Sequence, residues 1–272
     1  MEHQLQNRTI YLERMSKPLQ EKLRVTHYID SDATHILDVG CADGTVTLAM
    51  AELFPEKQFL GIDLDGDFVE QAKAEATRRG VTNVRFEKVY LRDLLTRDER
   101  FDTITFISVL HEFYSYGEGI SSVVKALADA EELLNPGGDI VIRDMVLLEY
   151  TKHTHYLVQS LLEKIETNNE VRERVQEVST CIGPLDSIYD INHFLLKYFY
   201  TENWPRECVE HYVPVTMEQY QQIFTLLGME VTLWDQRLMP FLRDKWVTDF
   251  GFSETELDPL KSTGFIVARK HR

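Results

Sequence analysis

The first half of the chain alternates between two hydrophobic patterns. Short, nearly continuous apolar runs have the length of buried strands, and they lie at residues 35–39, 58–62, 83–88, 101–109 and 139–146. Between these runs, apolar residues recur every three or four positions, as on one face of a helix, at residues 45–53, 66–79 and 120–134. Strands separated by helices of this length form parallel sheets with right-handed crossovers. The pattern therefore predicts a doubly wound α/β fold.

The alternation stops after the fifth strand. Residues 150–213 have a helical pattern, many aromatic residues and no clear strand. Two more strands are predicted at 230–234 and 264–269, and because no full helix separates them we expect an antiparallel pair at the sheet edge. The predicted sheet is therefore seven-stranded and mostly parallel, with a helical cap inserted before the edge pair.

The N-terminal segment is also helical in pattern, with Pro18 expected to divide it into two helices. We predict four parts in the 272 residues: N-terminal helices (1–32), an α/β core (33–149), a helical cap (150–213) and a C-terminal completion of the sheet (214–272). Tyr11 and Arg14 are the N-terminal residues that we would expect to meet a ligand if these helices close over the core.

The chain contains no pattern that predicts a membrane or export segment. No apolar run reaches the roughly 18 residues that cross a bilayer, and polar residues interrupt the first fifteen positions. The cysteines are odd in number and far apart, which argues against a disulfide framework and against a zinc site; they are Cys41, Cys181 and Cys208. We therefore expect a cytoplasmic protein.

The charge balance bears on the choice of partner. The chain has 45 acidic and 29 basic residues, for a net charge of −16. Such a surface repels a phosphate backbone, so a nucleic acid partner is not expected. A homo-oligomer is compatible with the sequence.

A glycine turn is the sharpest local feature. The first strand runs into Gly40 and Gly44, which let the backbone turn tightly and approach a ligand closely. The spacing is G-x-x-x-G, whereas dinucleotide enzymes have G-x-G-x-x-G at this place, which argues against a nicotinamide cofactor. In doubly wound sheets this first turn is a nucleotide site.

This turn resembles the first motif of class I S-adenosylmethionine-dependent methyltransferases. Asp38, Gly40, Ala42 and Gly44 fit the motif, although Ala42 stands where a glycine is more common. The family has an acidic residue at the end of the second strand that holds both ribose hydroxyls, and Asp63 matches it. The resemblance implies that S-adenosylmethionine is the cofactor and that 33–149 bind it. It also places two neighbours in the cofactor site, Cys41 and Leu64.

A third family mark is an acidic residue near the adenine, after the third strand. Tyr90 occupies that position here, so either Tyr90 and Leu91 contact the adenine or Asp93 takes the acidic role. Ser108, at the end of the fourth strand, is also expected in the cofactor site.

The candidate catalytic residues follow the fourth strand directly. His111 either acts as a general base on the methyl acceptor or only orients it, and Glu112 either orients His111 or holds a substrate cation. Arg143, at the end of the fifth strand, is a candidate for binding substrate or for an ion pair.

The cap carries the remaining substrate candidates, although an aromatic stripe can equally be the cap's own core. These candidates are His193, Tyr200, Trp204 and His211. His193, Glu207 and His211 lack the spacing of a known metal site, so no metal is expected. The sequence favours methyl transfer to O, N or C of a small molecule. The alternatives are an RNA or protein methyltransferase and a non-catalytic module that binds S-adenosylmethionine or S-adenosylhomocysteine.

Overall fold

One seven-stranded sheet forms the centre of the protein. A computed structural model describes residues 18–153 and 156–272. The strands are β1 (His35–Val39), β2 (Gln58–Asp63), β3 (Val84–Lys88), β4 (Phe101–Ile107), β5 (Leu134–Asp144), β6 (Met229–Arg237) and β7 (Thr263–Lys270). Their order is β3-β2-β1-β4-β5-β7-β6. Pairs among the first five strands are parallel, and β7 is antiparallel to both β5 and β6. The predicted doubly wound, mostly parallel sheet is confirmed.

Helices cover both faces of the sheet. In the core they are α1 (Leu19–Lys22), α2 (Thr45–Leu53), α3 (Gly66–Arg79), α4 (Leu110–Tyr116) and α5 (Ile120–Leu133). The cap contains α6 (Val158–Thr167), α7 (Asn169–Ile182), α8 (Ile188–Lys197) and α9 (Trp204–Val209), and the C-terminal part contains α10 (Met217–Leu226), α11 (Pro240–Phe250) and α12 (Glu254–Leu257). Short 3-10 helices lie at Leu23–Tyr28, Leu91–Thr96 and Glu149–Lys152. No helix in these described ranges is long and apolar enough to cross a membrane.

The two faces of the sheet bury different helices because strand side chains alternate. One face carries Leu37 and Ile104 against α5 and α10, and the other carries Ile36 and Phe265 against the N-terminal segment and α2. On this second face the rings of Tyr28 and Phe265 are 5.6 Å apart. The residues after Pro18 are helical, as the pattern predicted, and the structure places them over this face of the sheet. Tyr11 and Arg14 lie outside the described residues.

The cap has a hydrophobic core of its own. Buried side chains of α6 to α9 pack around Phe194, together with Trp246 and Phe250 from α11. The helices between β6 and β7 therefore belong to the packing of the cap, although their residues lie in the stretch expected to complete the sheet. The division into four parts otherwise stays a prediction.

Two features differ from the sequence expectation. The fourth strand ends at Ile107, and α4 begins three residues later, within what the apolar run marked as strand and loop. Cys181, at the end of α7, forms a disulfide with Cys208 in α9, with their Cα atoms 5.4 Å apart. The expectation of no disulfide was wrong because the cap folds back on itself and brings cysteines 27 residues apart together. Cys41 is free and buried.

We predict that this disulfide stabilises the cap. Closing a loop of 27 residues removes chain entropy from the unfolded state, which corresponds to about 3 kcal/mol. Cys208→Ser should lower the melting temperature of the oxidised protein, and a reductant should lower that of the wild type but not that of the variant. A thiol titration that finds three reactive cysteines in the unfolded, non-reduced protein would contradict the disulfide.

Candidate active site

The glycine turn after β1 has a backbone that few residues can adopt. Gly40 and Gly44 have φ values of 72° and 76°, and Ala42 between them has φ 47°. A Cβ on Gly40 would lie 2.4 Å from Val109 Cγ2, and one on Gly44 would lie 2.7 Å from the Cβ of Ala72. Both glycines are therefore required for the turn and for its packing.

Asp38 supports this turn from below. Its side chain is 2% exposed, and the carboxylate accepts hydrogen bonds from Thr47 Oγ1 at 2.5 Å and from Thr105 Oγ1 at 2.8 Å. Burial raises the pKa of Asp38 to about 6, although these hydrogen bonds and the charge of Lys22 oppose the rise. Asp38 thus joins β1, α2 and β4 at the base of the glycine turn.

Asp63, at the end of β2, faces the same turn. Its Oδ2 accepts a hydrogen bond from the amide of Ala42 at 2.8 Å, and its Oδ1 accepts one from the amide of Asp65 at 2.9 Å. Burial raises its pKa, against backbone hydrogen bonds that lower it. Each carboxylate oxygen keeps a second lone pair for a ligand hydroxyl.

Cys41 packs beneath the turn as a small apolar residue. A Cβ on Gly61 would lie 3.0 Å from its Sγ, so the thiol fills the space against β2. Burial raises the pKa of this thiol well above its usual range. Cys41 is therefore a packing residue beneath the glycine turn, and its burial disfavours a reactive thiolate.

Apolar side chains lie exposed beside Asp63. Leu64 is 51% exposed and Tyr90 is 59% exposed. Leu91 is buried in the core below them, and Asp93 is exposed. Leu64 and Tyr90 are therefore exposed apolar side chains that follow the ends of β2 and β3.

His111 and Asp144 form a buried pair at the carboxyl ends of β4 and β5. His111 Nδ1 is 2.9 Å from Asp144 Oδ1, and the amide of His111 donates a hydrogen bond to Asp144 Oδ2 at 3.2 Å. Burial alone would lower the pKa of His111, but the Asp144 carboxylate outweighs it and raises this pKa to about 9. Burial likewise opposes ionisation of Asp144, and His111 reverses this, so the pKa of Asp144 is lowered. At neutral pH the pair is imidazolium and carboxylate.

Glu112 points from α4 towards the cap. It forms an ion pair of 2.8 Å with Arg206 of α9, and Arg206 also contacts Glu210 at 2.7 Å. Tyr116, one turn further along α4, donates a hydrogen bond of 2.7 Å to Glu210. Burial and the nearby Glu210 raise the pKa of Glu112 to about 7. One arginine therefore joins a half-buried carboxylate, Glu112, and a buried one, Glu210, across the boundary between core and cap.

A second set of contacts holds the cap against α4. Ser115 Oγ accepts a hydrogen bond of 2.7 Å from the amide of His211 and donates one of 2.6 Å to the carbonyl of His111. The ring of Tyr212 lies edge-on to that of His111, at 5.8 Å. Tyr212 also donates its hydroxyl to Glu207. The cap therefore covers the residues that follow β4.

Two histidines of the cap, His193 and His211, lie near α4 and are neutral. The rings of His193 and His211 are 4.6 Å apart, and burial lowers the pKa of both, that of His211 to about 4. His193 Nε2 accepts a hydrogen bond from the amide of Tyr212 at 3.1 Å, while Nδ1 of His211 is buried with no partner in the described parts of the chain. Tyr114 of α4 completes the group, 5.6 Å from His211.

The other predicted substrate residues lie apart from this group or only at its border. The ring centroid of Tyr200 lies 6.1 Å from that of Tyr212 and 4.4 Å from that of Phe199. Trp204 stacks on the guanidinium of Arg174 in α7, at 3.6 Å. Trp204 therefore packs inside the cap, which is the alternative that the sequence left open for its aromatic residues.

Arg143 lies on the opposite face of β5 from Asp144. Its guanidinium donates hydrogen bonds to Ser108 Oγ and, at 3.3 Å, to Thr263 Oγ1, and its Nε is buried without a partner among the described residues. Ser108 has φ 58°, and its amide donates to the carbonyl of Arg143 at 2.7 Å. Arg143 therefore holds the end of β4 in place, beneath the N-terminal segment.

Sequence patterns alone did not single out several of these residues. Lys22 and Arg206 are ordinary charged residues in a helical pattern, and Ser115 and Tyr116 belong to a short helix after the fourth strand that the sequence pattern did not predict. The missed signal is the i, i+4 spacing of Glu112 and Tyr116, which places both on one helical face. The described residues contain no group of side chains that could hold a metal ion.

A family model described as a methyltransferase domain matches residues 30–239, which is most of the chain. The chain belongs to this methyltransferase family. The predicted resemblance to class I S-adenosylmethionine-dependent methyltransferases is therefore confirmed, and with it the cofactor S-adenosylmethionine.

Three relatives of this methyltransferase-family protein each match over less than half its length. It is 35% identical over 109 residues to the uncharacterized protein RP028 of Rickettsia prowazekii, covering 39% of this chain and 41% of that one. It is 30% identical over 128 residues to the uncharacterized methyltransferase YcgJ of Bacillus subtilis, covering 45% and 47%. A tRNA (guanine-N(7)-)-methyltransferase of Porphyromonas gingivalis is 29% identical over 93 residues, covering 34% and 32%. The chain thus spans less than half the length of these curated relatives.

Solved structures support the fold. The crystal structure of YcgJ from Bacillus subtilis superposes with a TM-score of 0.53 at 16% identity, covering 93% of this chain and 99% of that one. The plantazolicin methyltransferase BamL, in complex with a substrate analogue and SAH, gives 0.55 at 14% identity, covering 96% and 88%. At these identities the likeness concerns the fold alone.

We predict that Ala42→Gly leaves the family's turn intact and does not destabilise it. An alanine at positive φ is strained by roughly 1–2 kcal/mol, and glycine removes this strain. Glycine also gives the unfolded chain more entropy, which cancels about 0.5–1 kcal/mol of the gain in stability. Urea unfolding should therefore show a gain of up to about 1 kcal/mol. The control Ala51→Gly, at a buried position inside α2, should lose stability. A clear loss for Ala42→Gly would contradict strain at this residue.

Proposed function

We propose that the protein transfers the methyl group of S-adenosylmethionine to a small-molecule acceptor held between α4 and the cap. The observation that carries the proposal is the covered His111–Asp144 pair at the carboxyl ends of β4 and β5. Ligands of doubly wound sheets lie at this edge, and the glycine turn and Asp63 lie beside it. When bound, S-adenosylmethionine supplies an electrophilic methyl group.

The residues of the first turn would hold the cofactor. Asp63 would accept hydrogen bonds from the two ribose hydroxyls, and the backbone of Ala42 would lie against the ligand because the turn keeps side chains out of the way. Leu64 and Tyr90 would pack on the adenine. Asp38 would support the turn and would not bind the cofactor itself, since its carboxylate is already bonded to Thr47 and Thr105.

His111 would take the proton of the acceptor at Nε2. Asp144 fixes Nδ1 as the nitrogen that carries the other proton, so Nε2 lies on the opposite side of the ring. The raised pKa makes His111 a strong base, although only a small neutral fraction exists at neutral pH. The Asp144 carboxylate would then stabilise the imidazolium that forms.

The closed boundary favours a small acceptor. Ser115, Tyr116 and Glu112 of α4 all bond directly to the cap, so a macromolecule would have to displace these contacts to reach His111. The tyrosine and neutral histidine rings around His211 suit a ring-bearing acceptor. The net charge of −16 also opposes an RNA substrate, which the Porphyromonas gingivalis relative would otherwise suggest. A cytoplasmic location and a homo-oligomer stay predictions.

The direct test measures S-adenosylhomocysteine release from S-adenosylmethionine. A panel of small phenols, alcohols and amines should include an acceptor, and total tRNA at low salt should give no product above background. Asp63→Ala serves as the inactive control for each reaction. Product with tRNA alone, falling steeply with added salt, would overturn the small-molecule proposal.

We predict that the cofactor affinity depends on Asp63 and Tyr90. In calorimetric titration with S-adenosylhomocysteine, Asp63→Ala should weaken binding by on the order of 10- to 100-fold, because it removes hydrogen bonds to a charged acceptor. Tyr90→Ala should weaken binding by several-fold through lost stacking. Asp93→Ala, a matched exposed carboxylate, should bind like the wild type; a large loss there would place the adenine contact at Asp93 instead.

We predict that the pKa of His111 can be read by NMR without knowing the acceptor. In the wild type the His111 ring should titrate near pH 9, because Asp144 favours the charged form. In Asp144→Asn that charge is gone and burial dominates, so the pKa should fall below 6.5, the ordinary value. His211→Gln, which leaves the pair untouched, is the control. Titration of wild-type His111 near its ordinary pKa would contradict the ion pair.

Once an acceptor is identified, we predict that the His111–Asp144 pair determines how kcat/KM depends on pH. Because neutral His111 is the base, kcat/KM should rise with pH and level off above about 9, and His111→Gln should lower it by roughly 10²- to 10⁴-fold. A profile that is flat in the wild type and a small loss in His111→Gln would leave His111 only an orienting role.

A further inference from the structure

The guanidinium of Arg143 is buried without an ion pair to any described residue. Arg143 is 4% exposed, and its hydrogen bonds go to neutral groups: Ser108 Oγ, Thr263 Oγ1 at 3.3 Å and Met239 Sδ at 3.7 Å. Its Nε has no partner in the described parts of the chain. Arginine stays protonated in proteins, and a charge is rarely buried unless it is paired. With 45 acidic residues against 29 basic ones, carboxylates are not scarce in this chain.

Two carboxylates attract Arg143 without forming an ion pair with it. Asp144, the next residue of β5, lies on the opposite face and is bonded to His111. Glu21 of α1 acts on the pKa of Arg143, but its Oε2 is also buried without a partner among the described residues. Burial lowers the pKa of Arg143, and the charge of Arg237 lowers it further. Arg143 therefore keeps a buried N–H donor, with its charge, for an anion.

Arg237 brings a second guanidinium to the same face of the sheet. Phe265 of β7 is paired with Arg143 on one side and with Asp235 on the other, and Arg237 lies two residues beyond Asp235 on β6. The guanidinium of Arg237 is 5.2 Å from the centre of the Phe265 ring, and its Nε is buried without a partner in the part of the chain that the structure describes. The two arginines therefore flank Phe265 at the carboxyl ends of β5 and β6.

Arg143 lies on the far side of β4 from the glycine turn. The turn follows β1, Asp63 ends β2, and β4 separates β1 from β5. Neighbouring strands are about 4.8 Å apart, so β5 is roughly 10 Å from β1. Met239, which Arg143 contacts, is buried in the hydrophobic core of the cap. Arg143 thus belongs to the side of the site where the core meets the cap.

Two tyrosines of the cap connect Arg143 with His111. Tyr200 is close enough to Arg143 to act on its pKa. The ring of Tyr212 lies 6.1 Å from that of Tyr200 and 5.8 Å from that of His111. Tyr200 and Ser108 are partly exposed, so they mark the open side of the buried guanidinium. One wall of rings therefore extends from Arg143 to the His111–Asp144 pair.

We propose that Arg143 binds a carboxylate group of the methyl acceptor, which makes the acceptor a small organic anion. This inference rests on the proposed function and names the class of its acceptor. The Nε–H of Arg143 would donate a charge-assisted hydrogen bond, which is stronger than a bond between neutral groups. Arg237 would add a second positive charge. The acceptor would lie along Tyr200 and Tyr212, with its carboxylate at Arg143 and its reacting atom at Nε2 of His111.

Matched acids and amides test this charge before the natural acceptor is identified. Protein saturated with S-adenosylhomocysteine is titrated by calorimetry with small hydroxy- and amino-substituted aromatic acids, such as 4-hydroxybenzoate, and with the primary amide of each. The amide has nearly the same shape as the acid but no charge. At least one acid should bind on the order of 10-fold more tightly than its amide. Arg143→Met should remove this preference, and Arg143→Lys should keep part of it because it keeps the charge.

A second variant should act in the opposite direction. Glu21→Gln removes a negative charge that competes with the ligand for Arg143, so it should strengthen binding of the acid and leave that of the amide unchanged. Arg174→Met is the matched control, because this arginine of the cap stacks on Trp204 and pairs with Glu177. It should leave the preference between acid and amide as in the wild type.

Three results would overturn the proposal. The first is a wild-type protein that binds no acid of the panel better than its amide. The second is equal weakening of acid and amide by Arg143→Met in folded protein, which would leave Arg143 only its support of β4. The third is a loss of about 10-fold or more in affinity for S-adenosylhomocysteine itself, which would assign Arg143 to the cofactor.

Two further points keep the test decisive. Should Arg143→Met not fold, Arg143→Gln carries the same comparison, and the preference of the wild type for acids needs no variant. Wild-type protein that does not bind S-adenosylhomocysteine would instead refute the cofactor site, and with it the proposed function on which this inference rests.

Discussion

The active-site edge depends on one buried carboxylate. Asp38 accepts hydrogen bonds from Thr47 and Thr105, so a single side chain in β1 ties α2 and β4 to the strand that leads into the glycine turn. An unpaired buried carboxylate would be costly, and these two hydroxyls lower that cost while fixing the turn. On the other side of the turn, the amide of Ala42 donates a hydrogen bond of 2.8 Å to the carboxylate of Asp63, so the turn is bonded to β2 as well.

A second hydrophobic core makes the other wall. The cap and α11 pack around Phe194 and Trp246, independently of the sheet, and this packing lets polar groups of α9 face α4. Arg206 between Glu112 and Glu210 then joins the two bodies. The candidate site is consequently bounded by the core of the sheet on one side and by the separately packed cap on the other.

Local patterns were enough to predict the sheet, the glycine turn and Asp63, because each depends on residues that are near in sequence or at a fixed spacing. Contacts between distant segments were not predictable in this way. Asp144 is 33 residues from His111, and the disulfide joins cysteines separated by 27. Helix α4 was missed because seven residues are too few for a clear period, and Trp204 was placed with the substrate although Arg174 covers it.

The position of β7 constrains the order in which the strands can pair while the chain is being synthesised. β6 hydrogen-bonds to β7 and to no other described strand, and β7 alone connects it to β5. The first five strands can pair as they emerge, but β6 has no partner until synthesis has passed Lys270. The nascent chain therefore carries β6 without a strand partner while some 30 further residues are synthesised, although α11 can already pack against the cap during that time.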